Sequence, residues 1–529
     1  MLKKGFALLL TILLILSSIP SQGNAQQISG TSDQMLASKN APPAPLITNK
    51  PAKGIQAPTV PKKERKEVES ERTPTSKTFD DGDGTYTKEF YSSPIFRMKD
   101  KKMQPISTKL VDSPANTEEL TTENTNLNVS FLRKMKNGQY VTLEKDGHNL
   151  SYSFLGGDGE TGSIQATDEK AKVENQNQIF YFNPIPHVAI RNISFNDQVK
   201  EDLILDQYAG QNIFQFKVST DLILKKQVNG QINFTDASGN NIFTIPKPSM
   251  SDSNIDPLSG EPSRSDKVDF DIQNNGNSWI IKLTADPNWL KDPLRKYPVY
   301  IDPTTGGADT FTSSAYPTTN YKGFWDSSAG YYSLKVGYYD GSTGTNYAYN
   351  RFDVSSLNNT IIDSATFSIY TGHSYYPTTP TGVWLDAVNG SWDASTLTWN
   401  NQPSSTNISS SSVYQGQWAN FDVTSTVQSW SNQTKTNNGF KLHTNGNGQT
   451  YWKKFYASEN AFNYPLLGVN YHYPSPNTPS GTSYSDGAGS NNTGYVNLNW
   501  NAVPGAASYN VWIYNGKDYE AFNVGNVTS

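Results

Sequence analysis

Between Thr304 and Tyr473 the chain alternates apolar and polar residues with period two, and this pattern limits what it can fold into. Ala365, Phe367 and Ile369 fall on one side of one run, with Thr366, Ser368 and Tyr370 on the other. Phe421 and Val423 alternate with Asn420 and Asp422, and Phe440 and Leu442 with Lys441 and His443. Phe455 and Ala457 alternate with Lys454 and Tyr456, and Leu467, Val469 and Tyr471 close the segment. Successive side chains on a strand point to opposite faces, so these runs specify strands with one apolar face each. Two packed antiparallel sheets satisfy them. Only Thr424 to Ser431, with Val427 and Trp430 three apart, reads as a helical turn. The expectation is an all-β, multidomain chain with a jelly-roll β-sandwich at 304–473.

Composition agrees with an extracellular β protein. Charged residues make up 17% and aromatics 12% of 529 residues, so Ser, Thr, Asn and Gly do most of the solvating. The length suggests about three or four domains. A net charge of −5 gives no field for nucleic acid or an anionic membrane. The chain has no cysteine, which rules out a disulfide scaffold, thiol catalysis and thiolate metal sites.

Read in order, the chain opens with Lys3 and Lys4, an apolar run from Phe6 to Leu16, and Gly23-Asn24-Ala25. This describes a secretory signal peptide cut after Ala25, too short to span a bilayer. The expectation is export, with no membrane contact after cleavage. Residues 26–78 are rich in Pro, Ser and Lys and read as a disordered tether. Asp80-Asp81-Gly82-Asp83-Gly84 reads as a turn, since a full calcium loop would end in a bidentate Glu. Residues 79–303 read as a β-rich domain. Tyr140–Lys145 and His148–Phe154 form a hairpin about Asp146-Gly147, Asp286–Leu290 makes a helical turn, and a strand ends at Pro303. Residues 474–484 are a Pro/Ser linker. Residues 485–529 look like the start of a fibronectin type III domain, with three or four of about seven strands. The expectation is therefore the N-terminal part of a longer protein, or a truncated product.

Several motifs appear in sequence order: Pro317-Thr318-Thr319-Asn320-Tyr321, Asn350-Arg351-Phe352-Asp353-Val354, Trp399-Asn400-Asn401-Gln402-Pro403, Phe421-Asp422-Val423-Thr424 and Phe455-Tyr456-Ala457-Ser458-Glu459. Together they resemble the DNRLRE-type module, a jelly-roll relative of carbohydrate-binding domains. With the export signal and Tyr297–Pro303 closing the preceding domain, the chain resembles the N-terminal part of the wall-associated (WapA-like) family of bacilli. That family consists of Rhs/YD-repeat polymorphic toxins. The resemblance implies a secreted, cell-wall-associated carrier that binds wall polysaccharide or another surface glycan. The repeat shell and the C-terminal nuclease of such proteins do not occur in this chain, so their activity does not transfer to it.

No residue pattern marks an active site. The five histidines are scattered, Gly-x-Ser-x-Gly is absent, and no spacing singles out a carboxylate pair. Asp393 reads as a turn carboxylate before Ser395 and Thr396. No cofactor or metal is expected, with calcium left open at the loop carboxylates Asp326 and Asp340. Seven of the 11 tryptophans lie in 304–473. Trp392 and Trp399 read as core or strut. Trp325, Tyr331, Tyr332, Tyr375, Tyr376 and Trp452 sit in polar loops or beside lysines and are expected to be exposed for stacking on sugar rings. Trp384 is ambiguous, because Val383 and Leu385 take the opposite face. Three readings stay open: a glycan-binding module, a polysaccharide-cleaving enzyme using 79–303, and a spacer without a ligand.

Overall fold

A computed structural model describes residues 65–302, 309–326, 329–444, 450–460, 462–474, 482–488, 494–503, 508–514 and 519–525. The expected signal peptide and most of the expected tether lie outside them, as does the linker segment 475–481.

The expected all-β class holds. In the N-terminal domain a nine-stranded and a seven-stranded antiparallel sheet enclose one core. The Gln139–Lys145 and His148–Gly159 strands form the hairpin read from sequence, with Asp146 and Gly147 both at positive φ, as a tight two-residue turn requires. The helical turn is also present. Pro287–Lys291 is helical, and the Asp286 carboxylate accepts from the Asn288 amide.

The module is built from a single 14-stranded antiparallel sheet that folds over on itself. One layer carries Ile361–Ser374, Trp418–Asp422 and Leu466–His472. The other carries Thr310–Ser313, Thr345–Asn350, Phe440–His443, Thr381–Val388 and Ser405–Val413. The Tyr331–Tyr338 and Lys453–Tyr456 strands pair with each other and join the layers. Phe367, Phe421, Phe440 and Leu442 fill the space between, as the period-two pattern requires. The Thr424–Ser431 helix buries Val427 and Trp430.

The boundaries differ from the sequence reading in one respect. Ser76–Asp80 and Tyr86–Tyr91 form a hairpin whose second strand pairs with Leu466–His472, Tyr86 opposite Tyr471 and Tyr91 opposite Leu466. Phe90 enters the module's core. Regular structure therefore begins by Lys66, inside the stretch expected to be a tether. The hairpin belongs to the module rather than to the domain starting at 79. The physical reason is the edge. Leu466–His472 would otherwise present a row of unpaired amides and carbonyls, and this hairpin covers it. Asp80–Gly84 is the turn of that hairpin, where Asp80 Oδ1 accepts from the Gly82 amide.

Beyond the module, Ser483–Ala488 pairs with Gly494–Asn499, and Asn510–Tyr514 with Tyr519–Asn523. These are two hairpins. The Pro504–Ala507 turn of the type III resemblance lies outside the described residues.

Candidate functional site

Two aromatic and charged regions flank the module's core, and they are built differently. The first lies where the N-terminal domain meets the module. The hairpin of Ser249–Ile255 and Pro262–Ser265 reaches across, and its turn sets Glu261 against Lys335 and Lys454. Lys454 Nζ also lies 2.7 Å from Asp326 Oδ2. Burial disfavours the charged form of each group here. Lys335 and Lys454 nevertheless hold the Glu261 carboxyl below its ordinary range, while burial brings the Lys335 ammonium down to about 8. His373 Nε2 lies 2.9 Å from the Leu258 carbonyl, and burial followed by the Lys454 charge lowers its pKa to about 4.

This interface corrects the expectation for four aromatics. Trp325 and Tyr332 are buried because Phe195 of the N-terminal domain packs on both, its ring centroid 6.1 Å from Trp325 and 4.7 Å from Tyr332. Trp452 is fully buried, and its indole N–H donates to the Ser259 carbonyl at 2.8 Å. Tyr331 is buried in a stack on Tyr456 at 4.1 Å, against Gly372, where any Cβ would collide with its hydroxyl. None of the four offers a ring face to a sugar. Tyr375 and Tyr376 are half-buried, edge to face with each other at 4.8 Å. Asp326 is in the charge cluster, and Asp340 closes its own turn by accepting from Ser342 and Thr343.

The second region is the outer face of the second layer. The register sets Ala348 opposite Leu442 and Leu442 opposite Leu385, all three buried in the core. Their neighbours therefore point outward: Tyr347, His443 and Trp384, in one row across three strands. Trp384 and His443 are cross-strand partners with rings 6.3 Å apart and nearly parallel, and Tyr347 meets His443 edge-on at 6.1 Å. The Trp384 ring lies over Gly382, where a Cβ would come within 2.6 Å of it. Trp399 stacks on Tyr347 at 5.0 Å. All four rings are partly exposed.

The loop from Ser391 to Pro403 positions Trp399. Trp392 donates its indole N–H to the Asn438 carbonyl at 2.6 Å, and with Leu397 it covers Tyr349 and Val388 in a small second core. Thr398 and Asn401 cap the Trp399–Asn401 turn reciprocally. Asp393 accepts from the Ser395 amide at 2.8 Å, the turn role read from sequence.

Asp386 sits beneath the aromatic row. It accepts from Ser405 Oγ at 2.7 Å and Asn407 Nδ2 at 3.1 Å, and it lies 2.9 Å from His443 Nε2 and 3.6 Å from Lys441 Nζ. Burial alone would raise its pKa, but His443, Ser405 and Asn407 hold the carboxyl well below the usual carboxylate range. Lys441 Nζ lies 4.6 Å from the Tyr347 ring centre, a cation–π contact. The arrangement is a strip of aromatic faces bordered by fixed donors and an ionised acceptor. Such a strip matches a sugar, whose C–H face stacks and whose hydroxyls hydrogen-bond.

Of the residues expected to bind, only Trp384 lies on this face. Sequence reasoning misses Tyr347, Asp386, Lys441 and His443 as site residues, and it gives Trp399 a strut role. The available signal was position: each strand member among them alternates with residues of the buried face, as Lys441 and His443 do with Phe440 and Leu442.

In the N-terminal domain Glu201 is the most perturbed carboxyl that faces open space. It lines a cavity of about 60 Å³ with Tyr152, Asn192 and Phe216, and accepts from the Tyr140 hydroxyl at 2.6 Å. Burial raises its pKa to about 7. The space suits a few waters and is far below the ~300 Å³ of a small-ligand pocket.

The fold defines a class, a β-sandwich module, and the comparison of sequences says of which kind. Residues 301–471 match carbohydrate-binding module family 96. The whole chain is 42% identical over 541 residues to the tRNA3(Ser)-specific nuclease WapA of Bacillus spizizenii. It is likewise 42% identical over 540 residues to the tRNA nuclease WapA of Bacillus subtilis. The chain spans only 23% of the length of each of these relatives. A wall-associated protein of Geobacillus stearothermophilus is 37% identical over 257 residues, which are 47% of this chain and 96% of that one. This chain belongs to the wall-associated protein family. An exo-β-1,3-galactanase from Phanerochaete chrysosporium aligns over 77% of this chain and 95% of its own, at 11% identity and a TM-score of 0.11, too low to bear on the fold.

Proposed function

We propose that this chain is the export and glycan-binding portion of a secreted, cell-wall-associated protein. The outer face carrying Tyr347, Trp384, Trp399 and His443 is its contact with wall polysaccharide. The observation that carries the reading is the row of partly exposed rings held in register by the sheet, with Asp386, Asn407 and Lys441 at its border. Rigid rings lose little entropy on binding, and an ionised carboxylate already held in place accepts hydroxyls without rearrangement. The signal-peptide pattern read at residues 1–25 supports export, and the family supports attachment to the wall. The longer relatives are named tRNA nucleases, and delivery of a toxin by a longer protein of this family is the wider role we infer from the family resemblance.

The test is retention of the purified chain on wall polysaccharides, compared with the Trp384→Ala and Tyr347→Ala/Trp399→Ala variants. Binding by the parent chain and its loss in the variants, at unchanged melting temperature, supports the reading. Equal retention of all three on every polymer that binds the parent would overturn it.

A further inference from the structure

The Lys454 ammonium is buried between two carboxyl groups that come from distant parts of the chain. Lys454 lies on the Lys453–Tyr456 strand, Asp326 on the short Trp325–Asp326 strand, and Glu261 in the turn of the Ser249–Ile255 and Pro262–Ser265 hairpin. Lys454 Nζ is 2.7 Å from Asp326 Oδ2 and 2.7 Å from Glu261 Oε1. Asp326 and Lys454 are fully buried, and Glu261 is mostly so. The Tyr331–Tyr338 strand runs between the first two, with Tyr331 opposite Asp326 and Lys335 opposite Lys454. The surroundings fix each group. Lys454 Nζ also donates to the Gly260 carbonyl, Asp326 Oδ1 accepts from the Ala329 amide at 3.3 Å, and the second Glu261 oxygen meets Lys335.

This arrangement favours a reaction as well as an ion pair. A nitrogen at hydrogen-bond distance from a carboxylate oxygen lies roughly 3.5 Å from the carboxyl carbon, the separation of a near-attack arrangement. In water an ammonium and a carboxylate are kept apart from amide formation by their hydration. Here both have lost that hydration, and keeping two ions in the interior is costly even when they are paired. An amide removes both charges, and a closed site expels the water that forms and slows its return. What remains is the movement of protons. Burial opposes ionisation of Glu261, but Lys335 and Lys454 keep its carboxyl ionised and able to take a proton from the ammonium it touches. The Ala329 amide stands where the second carboxyl oxygen gathers charge during attack.

We propose that Lys454 and Asp326 condense into an isopeptide bond, with Glu261 as the group that carries the protons. Glu261 first relays one proton from the Lys454 ammonium to the Asp326 carboxylate, leaving a neutral amine beside a neutral acid. The amine lone pair then forms the N–C bond at Asp326 Cγ. Glu261 takes a second proton from the nitrogen and gives it to the Asp326 hydroxyl, the C–O bond breaks, and one water leaves. Glu261 ends as the carboxylate it began as, and no oxidant or other reagent is consumed. The bond joins two strands 128 residues apart in the chain. It gives a chain without cysteine a covalent staple that reducing agents cannot open. Because Glu261 belongs to the N-terminal domain, the staple in the module closes only once that domain has docked.

The experiment is mass spectrometry of the full chain, intact and after boiling in denaturant and digestion with trypsin. The parent should be lighter than the sum of its residues by one water. Its digest should hold a branched peptide joining the segments around Asp326 and Lys454, with no cut after Lys454. Lys454→Met and Asp326→Ala should each restore the full mass. Glu261→Gln keeps both reacting groups and should slow linkage by about a hundredfold or more, so that the freshly purified variant is unlinked. A parent of full mass with separate Asp326 and Lys454 peptides would show an ion pair only and overturn the bond. A branch at any other pair would overturn the assignment, and complete linkage in Glu261→Gln would overturn the proton-carrying role. The parent's mass and digest decide the bond even where a variant does not fold.

Discussion

The two sides of the module carry the same kinds of residue and end in opposite states. Toward the N-terminal domain, Trp325, Tyr331, Tyr332 and Trp452 lie beside Asp326, Lys335 and Lys454, and all are buried. On the outer face, Tyr347, Trp384, Trp399 and His443 lie beside Asp386 and Lys441, and the rings stay partly open. The difference comes from what covers them. One side is closed by Phe195 and the Glu261 hairpin, so its rings are covered and its charges are paired within the chain. Among the described residues the other has only the Ser391–Pro403 loop, which shields Tyr349 and Val388 and leaves the next row partly exposed. An aromatic, charged surface can therefore be an internal seam or a binding face, and only the covering segment decides which.

The contrast can be broken most strongly at the seam. Replacing Glu261 by Ala strands Lys335 in the interior and leaves Lys454 with Asp326 as its carboxylate partner. It should cost about 3–5 kcal/mol, as loss of one partner in a buried ion cluster does, seen as a lower denaturation midpoint. Starting the module at 304 should be comparably damaging, because it removes the strand that pairs with Leu466–His472. Such a fragment should aggregate or melt well below one that begins at 65.

A smaller effect is expected from pH. The folded-state pKa of His373 is about 4, below the ~6.5 of an unfolded histidine. The unfolded chain thus binds more protons between those values. The stability that neutral His373 contributes is full above about pH 6.5 and is lost as pH falls toward 4. His373→Gln should flatten the acid side of a melting-temperature profile over that window. An unchanged slope would show that the histidine is not sealed by the Leu258 turn.

On the open face the expected changes are in binding rather than stability. Trp384→Ala should weaken polysaccharide binding by about 1 kcal/mol, roughly fivefold, with a nearly constant melting point. Gly382→Ala, which pushes the Trp384 ring off its seat, should give part of that loss, measurable by affinity electrophoresis. The smallest change is expected at Tyr331. Its hydroxyl is buried and unpartnered, so Tyr331→Phe should leave binding unaltered and shift stability by no more than about 0.5 kcal/mol. A clear loss of binding there would reopen the seam as a ligand site.

Much of the fold was legible in the residues. The Asp146-Gly147 hairpin, the helical turn at Asp286–Leu290, the Thr424–Ser431 helix and the alternating strands follow from local rules of turn and period. The site was less so. Trp384 stands out because Val383 and Leu385 face inward, but His443 and Tyr347 join it only through cross-strand register. Lysines beside Trp452 suggested a wet loop, whereas Lys454 is buried between Glu261 and Asp326.

By itself the sequence determined the class of fold, the strands and which side of each strand is apolar. These depend on neighbours two to four residues apart, which the chain writes in order. Tertiary structure alone decided that residues from Tyr86 to Tyr91 complete a sheet closed by Leu466–His472, and which aromatic rings remain exposed. Both depend on contacts between segments far apart in the chain, where burial is set by the partner that arrives and not by the residue that waits for it.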